Sequence, residues 1–370
     1  MRAAPTRTPG RVGDPTRRRA RGASRGARRR SLARRATTAD GASRPDANAD
    51  LVRETLETTL AFRASLFEAG DLWSTSGRAS LLGGGAESGA EPRFTLSYMP
   101  MRNRAEVPRL ILEATATPHA FDVVGFRTWK SEMKPAMVPE FRGDFGKLPV
   151  LTSHEDGHEG DDGAPFAIGQ ESAITRFLAR RCGLAPEPGS PLDARVDSLY
   201  TFYFCTLRND GQTHEGAQYG PKALRAALSD ASAAGASRLS RSTAPTYRET
   251  RRVNDLTPAQ RSVAALGVFE EQLEISATGF LASSDAMTYV DLALFCELDE
   301  LAEEDNVGPD FAERLELPRL GAFYERVART PRVKRYLASP ARMPRYERPG
   351  YVYLPSPCDR EGGRAVAASA

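Results

Sequence analysis

An α/β domain in the order β-α-β-α-β-β-α, followed by an all-helical domain, is the fold class this sequence predicts. Three stretches carry the prediction. Phe94 to Leu112 turns from a strand straight into a helix. Phe145 to Leu151 is strand-like with a proline inside it. Met287 to Leu292 has the marks of a helix start in an otherwise helical half.

In the first stretch Phe94, Leu96 and Tyr98 alternate with Thr95 and Ser97, as on a half-buried strand. Pro100 ends the strand because it cannot donate to a ladder. From Arg104, the residues Ala105, Pro108, Leu112 and Ala116 recur at helical spacing, and Leu110 and Ile111 widen that face. Tyr98 is therefore delivered to a loop that faces a helix N-terminus, with its unpaired N–H groups and partial positive charge. This suits an anion beside a tyrosine hydroxyl. His119 to Phe126 is the second strand, and Trp129 to Val138 a short helix or irregular segment. In Phe145 to Leu151 a trans Pro149 would break pairing; a cis Leu148–Pro149 bond turns the chain and leaves the Leu148 backbone open to an extended ligand. Thr152 to Pro165 holds His154, Glu155, Asp156, His158, Glu159, Asp161 and Asp162 among glycines, without ordered ligand spacing. It reads as an acidic hairpin insertion, and no metal is expected. Phe166 to Ile168 is the last strand, and Gln170 to Arg181 a helix closed by Gly183. The order is that of a thioredoxin-like domain over residues 93–184, lacking a redox Cys pair and carrying Tyr98 in that region.

Ala185 to Ser190 links this domain to a helical one over residues 190–340. In Leu192 to Arg208 the residues Tyr200, Tyr203, Phe204 and Leu207 share a face, either plain core or the wall of an apolar pocket. Ser229 to Asp255 reads as a loop insertion, and Thr257 with Pro258 opens the next helix. Thr288 is an N-cap with Asp291 three residues on, a capping-box variant flanked by Met287 and Leu292 as a staple; Asp291 is structural in this reading. Leu320 to Arg329 and Val333 to Leu337 are further helices. Residues 341–370 are a tail with Tyr346, Tyr351 and Tyr353, read as disordered, with a lid over the pocket as the alternative.

Charge is unevenly spread. Between Met1 and Ala36 there are thirteen arginines and one acid, a net +12, in a chain of +3 overall, so the remainder carries −9. Acid depletion with Ala, Ser and Thr enrichment reads as a transit peptide within residues 1–50. The prolines and glycines from Pro5 to Pro15 favour a plastid address over a mitochondrial one; a solvated basic tail is the alternative. Residues 51–92 read as an amphipathic helix, either part of the targeting region or added to the body, and a Gly/Ser/Ala-rich linker. No run of 18 apolar residues predicts a membrane span, and neither membrane nor nucleic acid is an expected partner.

A tyrosine strand, Gly146-Lys-Leu-Pro-Val-Leu151, Gln170-Glu-Ser-Ala-Ile174 and the Thr288-x-x-Asp291 cap occur in this order. Together they resemble the cytosolic glutathione transferases, closest to the sigma-like class that includes the glutathione-dependent prostaglandin D synthases, over about Phe94 to Pro340. The resemblance implies a homodimeric enzyme using glutathione as co-substrate against a small apolar electrophile. Tyr98 would be the catalytic tyrosine, donating to the glutathione sulfur, with Arg104 near the thiolate. Trp129, Lys134 and Lys147 would serve the glycyl end, Leu148 before Pro149 the cysteinyl portion, and Gln170 the γ-glutamyl group. Tyr200, Tyr203 and Phe204 would wall the electrophile site.

Three positions depart from the family pattern. Asn103 replaces a glycine, although asparagine tolerates left-handed geometry. Glu171 replaces a serine, so either it points away from the γ-glutamyl carboxylate or Ser172 serves instead. The fourth helix of sigma-like members carries an acid that reaches the partner subunit's glutathione, and near Tyr200 to Phe204 no acid stands at the matching position, which puts cross-subunit glutathione binding in question. A non-catalytic binding or structural module of the same fold is the rival reading.

Overall fold

Five strands, β1 (Arg78–Gly83), β2 (Phe94–Tyr98), β3 (His119–Val124), β4 (Val150–Ser153) and β5 (Ala167–Gly169), pair in the order β1-β3-β2-β4-β5. The computed structural model describes residues 46–134, 146–155, 165–208, 224, 239–246, 248–250, 255–303, 306–347, 350–356 and 359. The basic N-terminal segment, residues 156–164 of the acidic insertion and most of the 229–255 insertion lie outside them.

β2 and β3 are parallel, with Phe94 opposite His119 and Tyr98 opposite Val123. A parallel pair needs a crossover. Here it is a helix, Asn103–Ala114, whose Ile111 and Leu112 are fully buried. β4 runs antiparallel to β2, with Leu96 opposite Leu151, and β5 antiparallel to β4. The helix Glu171–Arg181 lies beside Asn103–Ala114. This is the expected thioredoxin-like order, and the Leu148–Pro149 bond that leads into β4 is cis.

The stretch read as a linker over Ser74 to Pro92 contains β1, which pairs antiparallel with β3 from Arg78 opposite Val124 to Gly83 opposite His119. Glycine-rich flanks and an edge position explain the misreading: Leu81 is the strand's one large fully buried side chain, so the alternation is faint. Before β1 runs the helix Asp46–Ala69.

Among the described residues the helices of seven residues or more are, in chain order, α1 (Asp46–Ala69), α2 (Asn103–Ala114), α3 (Glu171–Arg181), α4 (Pro191–Thr206), α5 (Pro258–Glu274), α6 (Tyr289–Leu301), α7 (Pro318–Ala328) and α8 (Pro331–Leu337). Their starts are written in the sequence. Ser190 Oγ accepts the Asp193 N–H at the head of α4 (3.1 Å). Thr257 and Gln260 exchange hydrogen bonds of 3.2 and 3.0 Å at the head of α5. At the head of α6, Asp291 Oδ2 accepts from the Thr288 N–H (2.7 Å) and hydroxyl (2.9 Å), while Oδ1 accepts the Leu281 N–H (2.8 Å). Asp291 is fully buried in this network. α6 is the axis of the helical domain: Val290, Leu292, Ala293, Leu294 and Leu298 have no exposure, and α2, α4 and α7 pack around it. Among the described residues no helix is long and apolar enough to cross a membrane.

Charges join the two domains. Glu106 on α2 accepts from the Tyr336 hydroxyl (3.1 Å) and Arg342 Nε (2.8 Å), and Arg342 also donates to Asp299 on α6 (2.5 Å). Burial pushes the Asp299 carboxyl up, but Arg342 and then Arg102 hold it below the usual carboxylate range. A depressed carboxylate contributes stability above its unfolded pKa of about 3.9 and loses it as pH falls through the folded value. Asp299→Asn is therefore expected to cost about 3 kcal/mol at pH 7, with the difference from the parent shrinking below about pH 4. Denaturant unfolding of both proteins at several pH values measures this.

The C-terminal tail is folded where described, contrary to the disordered reading. Strands β6 (Arg345–Glu347) and β7 (Val352–Leu354) form a hairpin. The Tyr353 N–H donates to Gly70 O (2.9 Å), and the Leu72 N–H to Tyr351 O (3.1 Å). Arg63 of α1, 4% exposed, donates to Pro340 O (2.9 Å), Ser356 Oγ (3.0 Å) and Asp359 Oδ2 (2.8 Å), and also to Arg342 O. The Tyr353 hydroxyl donates to Pro100 O (2.6 Å), in the loop that follows Tyr98. The tail's order thus comes from partners in α1 and that loop, which its own sequence does not reveal.

Candidate functional site

The ends of three helices meet beside the C-terminus of β2. β2 brings Tyr98, the first turn of α2 brings Asn103 and Arg104, the first turn of α3 brings Glu171 and Ser172, and Arg208 follows the end of α4. A helix N-terminus favours an anion and a helix C-terminus a cation, so Glu171 and Arg208 each sit where the backbone favours them. Asn103 holds φ 27°, the left-handed geometry its side chain tolerates, and the departure from glycine is accommodated.

Glu171 is turned inward. It is 2% exposed, and its Oε1 accepts from Arg208 Nε at 2.7 Å, while Oε2 lies 3.7 Å from Arg104. Arg208 also donates to Asn103 Oδ1 (2.9 Å), and its other terminal nitrogen is 3.7 Å from Glu297 on α6. Glu297 in turn accepts the Tyr203 hydroxyl (3.3 Å). Two guanidiniums and two carboxylates thus interlock at the base of the site. Ser172, one residue on, is half-buried.

Tyr98 is 5% exposed. Burial pushes its hydroxyl well above the ordinary tyrosine pKa, opposed by Arg208, Arg104 and the Arg104 backbone N–H and reinforced by Glu171. The group therefore stays protonated at neutral pH and is a donor, able to hydrogen-bond an anion placed against it.

The remaining candidates divide into two sets. Trp129 is buried in a small cluster with Val124, with Met99, Met133 and Leu148 packed against it. The indole is thus gathered beside the residue next to Tyr98 and the residue before the cis proline. Lys134 and Lys147 are exposed, at either edge of the 135–145 segment that lies outside the described residues. Gln170 is exposed and adopts φ 72°, just before α3. Its carbonyl accepts the Ala173 and Ile174 N–H groups, and helix geometry leaves the preceding N–H groups of the first turn outside the ladder. A non-glycine residue held at positive φ costs about 1–3 kcal/mol. Gln170→Gly is expected to raise stability by about 1 kcal/mol. Thermal unfolding of the two proteins side by side checks it.

Tyr200 and Tyr203 do not line an open pocket. Both have no exposure. Tyr200 packs on Tyr289 at 5.1 Å with the Arg176 guanidinium over its face at 4.8 Å, and Tyr203 serves Glu297. The stripe is core, as α4 lies against α6; Phe204 alone of the three is half-buried. No local sequence pattern marks Arg208 as a site residue. A lone arginine closing an apolar helix hints at dipole pairing, but its partner 37 positions away does not show in a linear pattern. Among the described residues no group of His, Cys, Asp and Glu is arranged to hold a metal ion.

Comparison with known proteins bears on both domains. Residues 245–340 match the family described as "Glutathione S-transferase, C-terminal domain". The chain is 26% identical over 248 residues to glutathione S-transferase 4 of Caenorhabditis elegans, covering 67% of this chain and 97% of that protein. It is 24% identical over 246 residues to probable glutathione S-transferase 6 of the same organism, covering 66% and 96%. Among solved structures, a nematode-specific C. elegans glutathione S-transferase aligns at 22% identity and a TM-score of 0.45, over 67% of this chain and 97% of that one. Monomeric Na-GST-3 from the hookworm Necator americanus aligns at 21% and 0.43, over 66% and 96%.

Proposed function

We propose, for a chain related to the glutathione S-transferases, that it conjugates glutathione to apolar electrophiles, with Tyr98 holding the thiolate. The observation that carries this is a buried tyrosine at the end of β2, beside the N-terminal turn of α2 and the charges of Arg104 and Arg208. The glutathione thiol gives up its proton to solvent. Sulfur then attacks the electrophilic carbon, and the leaving group departs with its electron pair or, in an addition, the carbon framework takes up a proton. A free thiol has a pKa of about 8.5, and one hydrogen bond to a charged acceptor is worth about 1.5–3 kcal/mol, or one to two pKa units.

In this reading Gln170, Ser172 and the first-turn N–H groups of α3 take the γ-glutamyl end, Leu148 the cysteinyl backbone, and Trp129, Lys134 and Lys147 the glycyl end. Glu171 does not oppose the γ-glutamyl carboxylate, because it is turned away and paired. The sigma-like class, homodimerisation and a plastid address complete the proposal; they rest on the motif order and the acid-poor N-terminal segment.

The test is retention on immobilised glutathione and conjugation to a chloronitroaromatic by the full chain. Retention with turnover supports the proposal. Failure to be retained, together with no heat stabilisation by glutathione, would favour the non-catalytic reading, for which the replacement of serine by Glu171 is the specific ground.

A further inference from the structure

Resting on the transferase reading, we propose that Thr75 is a positioning residue for the glycyl end of glutathione: from a segment that precedes β1, it caps the turn that leads into Trp129.

After β3 the chain enters a short helical turn, Phe126–Thr128, which continues into Trp129–Met133. The first N–H groups of such a turn have no partner within it. Gly125 stands at the cap position and has no side chain to offer. The acceptors come instead from residues 75–77. Thr75 Oγ1 accepts the Phe126 N–H (3.0 Å), Thr75 O the Arg127 N–H (3.0 Å) and Gly77 O the Gly125 N–H (2.9 Å). In return the Gly77 N–H donates to Thr128 Oγ1 (2.8 Å). Thr75 is buried, and its hydroxyl gives its own proton to Leu72 O (2.6 Å), which leaves a lone pair for Phe126. The two backbones touch: a Cβ on Gly125 would lie 2.5 Å from Ser76 Cα. The segment is itself tied down. The Leu72 N–H donates to Tyr351 O (3.1 Å), and the Trp73 ring meets Phe126 and Tyr351 edge-on at 4.8 and 5.2 Å.

The cap supports one wall of the site. The Trp129 N–H closes the turn on Gly125 O (2.9 Å), and the indole packs with Met99, next to Tyr98, and with Leu148, before the cis proline. A shift of the turn therefore moves the indole against both. Residues 71–77 lie outside the span from Phe94 to Pro340 that carries the ordered motifs, so this support is an addition to that span.

Calorimetry on the full chain compares binding of glutathione with binding of γ-glutamylcysteine, which lacks the glycyl residue. Thr75→Val keeps the branched shape and removes the hydroxyl. It is expected to weaken glutathione binding about 3- to 10-fold, the worth of one net hydrogen bond, and to leave γ-glutamylcysteine binding unchanged. Thr75→Ser, which keeps the hydroxyl, restores glutathione affinity. A merely structural threonine would lower the folded fraction for both ligands alike. Equal weakening of both, or of neither, therefore overturns the inference and leaves the transferase reading standing. If Thr75→Val does not fold, Thr128→Val, which removes the Gly77 contact from the other side, decides by the same pattern. A parent that binds the two ligands equally well takes the glycyl role from the turn and overturns the inference alone. A parent that binds neither overturns the transferase reading with it.

Discussion

Tyr98→Phe is expected to lower kcat/KM for glutathione conjugation by about 10- to 100-fold near pH 6.5, the equivalent of one hydrogen bond to a charged sulfur. The loss should shrink as pH rises, because above the midpoint of the variant's bound thiol the thiolate forms without help. Phenylalanine keeps the ring and removes only the hydroxyl, so β2 and its neighbours Leu96 and Val123 remain packed and the melting temperature should barely move. Stopped-flow or steady-state rates at several pH values, with calorimetry on the same samples, make the comparison. Equal rates for both proteins at acidic pH would remove Tyr98 from the mechanism, whatever glutathione itself does.

Arg63→Met should be among the most damaging single changes to stability outside the core. The side chain is buried, and its donors serve two backbone carbonyls, Ser356 and Asp359. Removing it leaves Asp359 without its cation and with only the Ser356 N–H and hydroxyl; burial pushes its carboxyl up, while Arg63 and then Ser356 hold it below the usual range. Breaking one side of a buried charge pair costs about 3–5 kcal/mol, roughly 10 °C in a body of this size. Arg53→Met on the same helix, where the pair with Asp50 is exposed, is the control and should be neutral. Limited proteolysis would show cleavage within the β6–β7 hairpin in the first variant and protection in the second.

Much of the fold could be read from local chemistry. The alternation of Phe94, Leu96 and Tyr98, the helix start at Thr257 and Pro258, the Asp291 cap and the proline at 149 each act within a few residues, and each appears where the pattern puts it. The misreadings share a different cause. β1 is visible only through its pairing with β3, and the hairpin only through α1. Tyr200 and Tyr203 look equally at home against a ligand or against α6, because a helical stripe does not say what covers it. At the candidate site, Tyr98 is legible from its strand and turn, whereas the Glu171–Arg208 pair joins two helix ends that only the tertiary fold brings together.

The grip of Arg63 on Pro340, Arg342, Ser356 and Asp359 also sets an order of events during synthesis. A nascent chain emerges at about 5–20 residues per second, so the acceptors follow α1 off the ribosome by roughly 15–60 seconds. Through that interval the Arg63 end of α1 lacks its closing partners, and the loop after Tyr98 lacks the Tyr353 hydroxyl. The sheet can pair early, but it is sealed only when the far end arrives, and a nascent chain stalled short of residue 340 would be the species most in need of a chaperone.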